Sequence, residues 1–230
     1  MAKRPVFVCK DTYPYFESCE VEFIFYNGFD ISQKQKSIKS LHDAFKLKNI
    51  LSNPLEVSSK STDILGVKLS AFNLTLIKNE KEYSVESLFQ GSKVFEHGGP
   101  FTDIYDKTSH DAKKDERLKE SGNIIGFSLF NEKISNEPKT FFYNWLYVNA
   151  LNSHEEIKTE VLKYDAFTDI EFNPQKSLNC QAEAVAIYVS LAKAGLLKEA
   201  LKSKEDFLRI VYGEVEKPEQ FVQMSLFDLL

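Results

Sequence analysis

The chain has 230 residues and a formal net charge of −5, and 43% of its residues are hydrophobic, including 19 Phe and 10 Tyr. This is enough apolar material for one domain with a substantial core and a deep pocket. The acidic balance argues against a protein that coats nucleic acid through its overall charge. No apolar run approaches the roughly 20 residues that span a bilayer, and the apolar stretch near the N-terminus is too short for a secretory signal. We therefore expect a cytoplasmic protein with no membrane partner.

Cysteine and histidine spacing gives no sign of a metal site. Three cysteines form an odd set without metal-ligand spacing, and four histidines form neither HxxH nor HExxH. We interpret the cysteines as reduced thiols and expect no metal and no cofactor.

The first predicted elements are a strand and a helix. Val21–Tyr26 is rich in β-forming residues and stops at Asn27-Gly28. Ser32 and Gln35 fit a capping box, and the helix that follows carries apolar residues at helical spacing at Ile38, Leu41 and Phe45.

This first helix also carries a cluster of lysines. Between Ile31 and Ile50, five lysines against one aspartate give a net charge of +4. The cluster is either an ordinary solvated helix face or a local nucleic-acid patch, and in the second case the candidate DNA-binding residues are Lys34, Lys36 and Lys39.

A hairpin and a second helix come next. Leu74–Ile77 and Glu82–Val85 flank a polar turn and predict the hairpin. Ser84 then caps a predicted helix from Val85 to about Glu96 that stops at Gly98-Gly99-Pro100. Its polar stripe is either an exposed face or a row of ligand-binding groups, and it consists of Glu86, Gln90, Lys93 and His97. Gly91, in the middle of this helix, indicates that another backbone or a ligand approaches closely.

The remaining elements complete an α+β pattern. Ser109 starts a charged helix, Asn123–Phe130 predicts a strand, Pro138 stands at the first turn of an aromatic helix, and Ser153 with Glu156 fits a second capping box. A helix from about Asn179 to Ala194 ends at Gly195. We predict a mostly helical domain with a few short strands over residues 1–212 and a tail over residues 213–230.

One short acidic segment also attracts attention. Thr168–Pro174 predicts a strand, and in a strand Asp169 and Glu171 would lie on one face, roughly 6.5–7 Å apart. If partly buried, each carboxyl would then raise the pKa of the other.

Three segments carry a family resemblance. Leu69–Leu74 (LSAFNL), Ser84–Glu96 (SVESLFQGSKVFE) and Thr168–Ala182 (TDIEFNPQKSLNCQA) resemble the signature blocks of the NADAR superfamily, in their usual order. The stretches ISQKQKSI, EVSSKS, FQGSKVFEHGGPFTD and FTDIEFNP resemble its antitoxin branch, which is encoded beside DarT-type ADP-ribosyltransferase toxins. One departure is Ala182, which stands where many members have glycine.

The resemblance implies an activity and a set of site residues. It implies a hydrolase of N-glycosyl bonds that removes ADP-ribose from guanine in DNA, an antitoxin in a bacterial cytoplasm or nucleoid, with ADP-ribosylated DNA and a paired toxin as partners. The implied catalytic residues are Glu86 and Asp169, with Glu171 as the rival for the second position. The implied substrate-binding residues are Ser70, Phe72, Asn73, Gln90, Lys93, Glu171 and Asn179. Two alternatives stay open: an N-glycosidase of phosphorylated riboflavin-biosynthesis intermediates, and a non-catalytic module that binds ADP-ribose or the toxin.

The tail has a resemblance of its own. Gln223–Phe227 (QMSLF) is similar to the peptide by which bacterial replication and repair proteins bind the β sliding clamp. In that case Gln223 fixes the register while Leu226 and Phe227 enter an apolar pocket. The alternative is that the tail packs on its own domain or on a second subunit.

Overall fold

The computed structural model describes residues 1–213 and has a mixed α+β fold, as predicted. Its strands are β1 (Ala2–Cys9), β2 (Phe16–Phe23), β3 (Pro54–Glu56), β4 (Thr75–Lys78), β5 (Lys81–Ser84), β6 (Lys93–Phe95), β7 (Ile124–Leu129), β8 (Glu132–Ile134) and β9 (Ala166–Thr168). Its α-helices are α1 (Ile31–Lys46), α2 (Ile64–Lys68), α3 (Val85–Gly91), α4 (Ser109–Lys114), α5 (Arg117–Glu120), α6 (Phe141–Asn152), α7 (Glu155–Glu160), α8 (Gln181–Lys193), α9 (Leu197–Ala200) and α10 (Lys204–Tyr212). Within residues 1–213, no helix is long and apolar enough to cross a bilayer.

The largest sheet has the strand order β2-β1-β9-β3. Strand β1 is antiparallel to β2 and β9, whereas β3 runs parallel to β9 with Glu56 opposite Thr168. The predicted strand Val21–Tyr26 is placed too late in the chain. The backbone N–H groups of Ile24 and Tyr26 donate to serine hydroxyls of α1, so this segment leaves the sheet and follows the helix.

Helix α1 packs on this sheet through the predicted face. Ile38, Leu41 and Phe45 are buried against apolar residues of the sheet strands. The predicted Ser32 capping box is wrong, because Asp30 is the N-cap and its carboxylate accepts from the Ser32 N–H at 2.7 Å. An aspartate at this position satisfies a free N–H and also interacts favourably with the helix dipole.

Two nearly fully buried helices, α6 and α8, form the centre of the larger core. Both are apolar around most of their circumference, which is typical of helices that contact protein on all sides. The second predicted capping box is wrong, since the Ser153 hydroxyl donates to the Ala150 carbonyl and α7 begins after His154. Helix α8 begins at Gln181, two residues later than predicted.

Helix α3 is capped by Ser84 as predicted but ends at Gly91. The prediction of a helix to Glu96 is wrong, because Lys93–Phe95 pairs with β7 and the Ser128 N–H donates to the Ser92 carbonyl at 2.7 Å. The close approach expected at Gly91 comes from the protein itself. A β-carbon there would lie 2.6 Å from the Tyr105 ring and 3.0 Å from the Phe101 carbonyl oxygen.

Candidate active site

A cavity of about 860 Å³ opens where the three signature segments meet. This volume lies within the range of small-molecule binding sites. Five lysines and three acidic residues are among the residues that line it: Lys60, Lys93, Lys113, Lys139, Lys176, Glu86, Asp169 and Glu171. The lining is therefore rich in positive charge although the whole chain is acidic, and this suits an anionic ligand.

The first carboxylate of the cavity is Glu86, in the first turn of α3. It is only 6% exposed, and its Oε1 accepts from Gln90 Nε2 at 2.9 Å. Gln90 Oε1 in turn accepts from Lys93 Nζ at 2.6 Å. The side chains of Glu86, Gln90 and Lys93 therefore form one hydrogen-bonded row, although Lys93 lies on β6 and not on the helix.

Lys93 is a cation held in partly apolar surroundings. Its Nζ lies 4.8 Å from the centroid of the Phe89 ring. Burial lowers the pKa of Lys93 to about 8; Lys113 adds to this lowering, while the negative charge of Glu86 opposes it. Lys93 therefore stays mostly charged at neutral pH.

The second carboxylate, Asp169, lies in a turn just after β9. The predicted strand over Thr168–Pro174 is wrong, because the Glu171 N–H donates to Asp169 Oδ1 at 3.0 Å and so closes a turn. Asp169 is 8% exposed and also accepts from Gln181 Nε2 at 2.9 Å. Glu171 is an exposed cavity residue whose carboxylate pairs with Lys34.

A third carboxyl, Glu56, lies behind the cavity at the end of β3 and was not singled out by the sequence patterns. It is 2% exposed and accepts hydrogen bonds from the Ser58 hydroxyl, the Thr168 hydroxyl and the Ile170 N–H, at 2.6, 2.6 and 2.9 Å. The Thr168 hydroxyl also lies 2.9 Å from Nε2 of His42. Because the hydroxyl donates to Glu56, it accepts from the imidazole.

Glu56 and Asp169 titrate as a pair. Burial raises the pKa of Asp169 to about 7, and the charge of Glu56 adds to this rise; burial likewise raises the pKa of Glu56. Three donors stabilise the anionic form of Glu56 and two stabilise that of Asp169. We therefore assign the negative charge to Glu56 and the proton to Asp169 near neutral pH.

The three signature segments are joined through the backbone of Ala71. Its carbonyl accepts from the Glu86 N–H at 2.9 Å, and its N–H donates to Gln181 Oε1 at 2.8 Å. Gln181 thereby connects Ala71 with Asp169. The Tyr147 hydroxyl donates to the neighbouring Leu69 carbonyl and holds this turn on α6. The positions of both cavity carboxylates are thus fixed by one network.

The other predicted ligand-binding residues divide into two groups. Ser70, Phe72 and Asn179 line the cavity, and Asn179 Oδ1 is buried without a hydrogen-bond partner within the described residues. Asn179 lies just before the N-cap of α8, not inside the helix as predicted. Asn73 does not line the cavity, because its side-chain amide turns away and donates to the Val67 carbonyl at 2.8 Å.

Several cavity residues gave no usable sequence signal. Tyr143 lines the cavity from α6, and burial, reinforced by the charge of Glu86, raises its pKa well above the ordinary value. Its hydroxyl therefore stays protonated. In sequence Tyr143 cannot be told from the core aromatics around it. Lys113 lies on α4 with Nζ 5.3 Å from the Phe72 ring centroid, and only the fold brings these two residues together.

The predicted DNA-binding lysines lie along α1. Lys34 Nζ pairs with Glu171 Oε1 at 3.1 Å, so this helix reaches the rim of the cavity. Lys36 is exposed, and Lys39 pairs with Asp43. The predicted clamp-binding residues Gln223, Leu226 and Phe227 lie outside the described residues.

Fold and cavity together define a class of α+β protein in which a helix-borne carboxylate and a second buried acid line a lysine-rich pocket. The sequence model of the DarT1-associated NADAR antitoxins matches residues 2–220, and the chain belongs to this family. The family resemblance stated from the signature segments is thereby confirmed, and a DarT1 toxin is the associated partner. No curated protein matches the chain.

Proposed function

We propose that this antitoxin hydrolyses the N-glycosidic bond between ADP-ribose and a guanine base in DNA. The observation that carries the proposal is that Glu86 and Asp169, two nearly buried acids in different hydrogen-bonding surroundings, line the same lysine-rich cavity. Two carboxyl groups with different protonation states are what glycoside hydrolysis requires.

The surroundings of each acid suggest its role. Glu86, beside Gln90 and Lys93, acts as the carboxylate that takes a proton from water. The water oxygen bonds to ribose C1′ while the bond from C1′ to the base nitrogen breaks. Asp169, whose pKa is raised to about 7 by burial and by the charge of Glu56, gives its proton to the leaving nitrogen when it is in its protonated form. The products are ADP-ribose and the unmodified base, and the two acids regain their starting protonation states by exchange with solvent.

The cavity lining offers groups for each part of the substrate. The diphosphate of ADP-ribose suits the lysines, among which Lys93 belongs to the hydrogen-bonded row that contains Glu86. Phe72 offers a ring face for stacking. The unpartnered Asn179 Oδ1 can accept a hydrogen bond from a sugar hydroxyl or a base amino group.

The test is the replacement Glu86→Gln, which keeps the shape of the side chain and removes the charge. An oligonucleotide carrying ADP-ribosylated guanine is incubated with each protein, and free ADP-ribose is measured by chromatography. We expect the rate to fall by about 10²-fold or more, with little change in the thermal melting curve. The matched control is Glu120→Gln, at an exposed residue of α5 that does not line the cavity, and this variant should retain full activity.

This assay also separates the competing functions. A non-catalytic module would neutralise the toxin while releasing no ADP-ribose, with or without Glu86. Turnover by the Glu86→Gln protein at the rate of the unaltered chain would refute the role given to this residue.

A further inference from the structure

An exposed apolar patch lies on the segment before α1 and on the first residue of that helix. It comprises Ile24, Tyr26, Phe29 and Ile31, whose residues are 54%, 38%, 106% and 50% exposed, and we call it the aromatic patch. The exposure of Phe29 is complete, so this ring makes no contribution to the core. Large apolar side chains grouped in this way on a surface mark an interaction site.

The patch is held in place by α1. The Tyr26 N–H donates to the Ser37 hydroxyl at 2.9 Å, and Asp30 caps the helix directly after Phe29. Gly28 has a φ of +136°, and Gln33 Cγ lies 3.0 Å from where its β-carbon would be. The turn therefore presents its aromatic rings from a fixed backbone, which lowers the entropic cost of binding.

Lys34 lies between the cavity and the chain segment that carries the aromatic patch. Its Nζ lies 5.4 Å from the ring centroid of Phe25, which stands between Ile24 and Tyr26 in sequence, and 3.1 Å from Glu171 Oε1 at the cavity. Farther along α1, the exposed Lys36 and Lys39 continue a basic surface that also includes Asp43, the ion-pair partner of Lys39. Exposed rings followed by lysines are the two components by which proteins bind single-stranded nucleic acid.

We infer that the aromatic patch is a stacking platform for unpaired bases of single-stranded DNA that flank the modified nucleotide. Tyr26 and Phe29 contact base faces while the lysines of α1 contact phosphates, and Lys34 directs the strand towards the cavity. The inference rests on the proposed function, since it extends the substrate from a modified base to the strand that carries it.

The charges beside the patch favour DNA over a second copy of the chain. In a two-fold symmetric dimer the same surface meets itself, and α1 would bring its lysines close to those of the partner copy. That arrangement is unfavourable for like charges and favourable for a phosphate backbone.

The test compares two substrates of the full chain. One is a single-stranded oligonucleotide of about 12 nucleotides with one ADP-ribosylated guanine, and the other is the ADP-ribosylated nucleoside alone. For the double variant Tyr26→Ala/Phe29→Ala we expect KM for the oligonucleotide to rise at least about tenfold, because each stacked base contributes substantially to binding. The kinetic constants for the nucleoside should stay within about twofold, since the patch lies outside the cavity.

A matched control removes two other exposed apolar side chains. Leu51 and Ile77 are 97% and 55% exposed and do not line the cavity, so Leu51→Ala/Ile77→Ala should leave both substrates unaffected. An unchanged KM for the oligonucleotide in the patch variant, or an equal loss with both substrates, would overturn the inference.

The failure of the inference and of the proposed function can be told apart. If the unaltered chain releases no ADP-ribose from either substrate, the proposed function fails. The platform is then tested by fluorescence anisotropy with an unmodified single-stranded oligonucleotide at low salt. Weaker binding by the patch variant than by the control variant supports the platform, and equal binding rejects it.

Discussion

A proton on Asp169 is the condition on which the proposed chemistry depends. The pKa of this buried acid is raised to about 7, and only its protonated form can act as the proton donor. The protonated fraction is full well below pH 7 and is lost as the pH rises through that value. We therefore expect kcat for the modified oligonucleotide to fall about tenfold per pH unit above pH 7, measured across a pH series at saturating substrate.

A substitution at Glu56 tests whether the fall in kcat above pH 7 comes from the titration of Asp169. The change Glu56→Gln removes the negative charge that helps to raise the pKa of Asp169, so the alkaline fall in kcat should move to lower pH. A merely structural role would lower activity equally at every pH. The exposed Glu120→Gln serves again as control, and a profile that is displaced upward or left in place would contradict the assignment.

Some residues of the site were predictable and others were not, for a physical reason. Glu86 and Gln90 lie four residues apart on one helix, so local spacing placed them on one face. Lys93 lies beside them although α3 ends before it. From β6, its long side chain reaches back and donates to Gln90. Glu56 and Tyr143 depend on pairings with distant parts of the chain, and no local pattern distinguishes them from core residues.

The spacing of apolar residues predicted which faces of the helices and strands are buried, but it misplaced several helix and strand boundaries. The buried face of α1 and the β4–β5 hairpin were anticipated. The C-terminal end of α3 and the turn at Asp169 were not, because strand pairing with β7 and a side-chain hydrogen bond compete with local propensity there. The first is a long-range pairing and the second a local side-chain hydrogen bond, and each overrides the helix or strand preference of its segment.

Gly91 provides a test of packing between elements. A methyl group there would enter the Tyr105 ring, whose hydroxyl lies 3.0 Å from that of Ser92 and donates to the Ser128 carbonyl at 3.1 Å, so the ring cannot easily withdraw. We expect Gly91→Ala to destabilise the fold by about 1–3 kcal/mol, although alanine favours helices by about 1 kcal/mol. Urea denaturation measures the change.

The control is Gly126→Ala, where the nearest atom to the added methyl group is the Ile134 carbonyl oxygen at 3.4 Å. This substitution should be nearly neutral. Equal stability of the two variants would show that Tyr105 yields to the extra carbon.

For the whole molecule, the division into a domain over residues 1–212 and a tail over residues 213–230 remains a prediction. We expect purified sliding clamp to retain the full chain, and not a chain truncated after Glu219, in a pull-down. The double change Leu226→Ala/Phe227→Ala should have the same effect as truncation, because these side chains would fill the apolar pocket. Failure of the full chain to bind the clamp would refute this prediction and favour the alternative, in which the tail packs on its own domain or on a second subunit.

The parallel pairing of β3 with β9 determines at which stage of folding the site around Asp169 is assembled. Glu56 and Thr168 face each other although they are 112 positions apart in sequence, and Asp169 follows immediately. Closing so long a loop carries an entropic cost of roughly 4 kcal/mol, which is recovered only when the intervening elements have packed. A nascent or partly opened chain would therefore keep its basic helix yet lack both the burial that raises the pKa of Asp169 and the charge of Glu56 that adds to this rise. Catalytic power would thus arise late in folding and disappear early in unfolding.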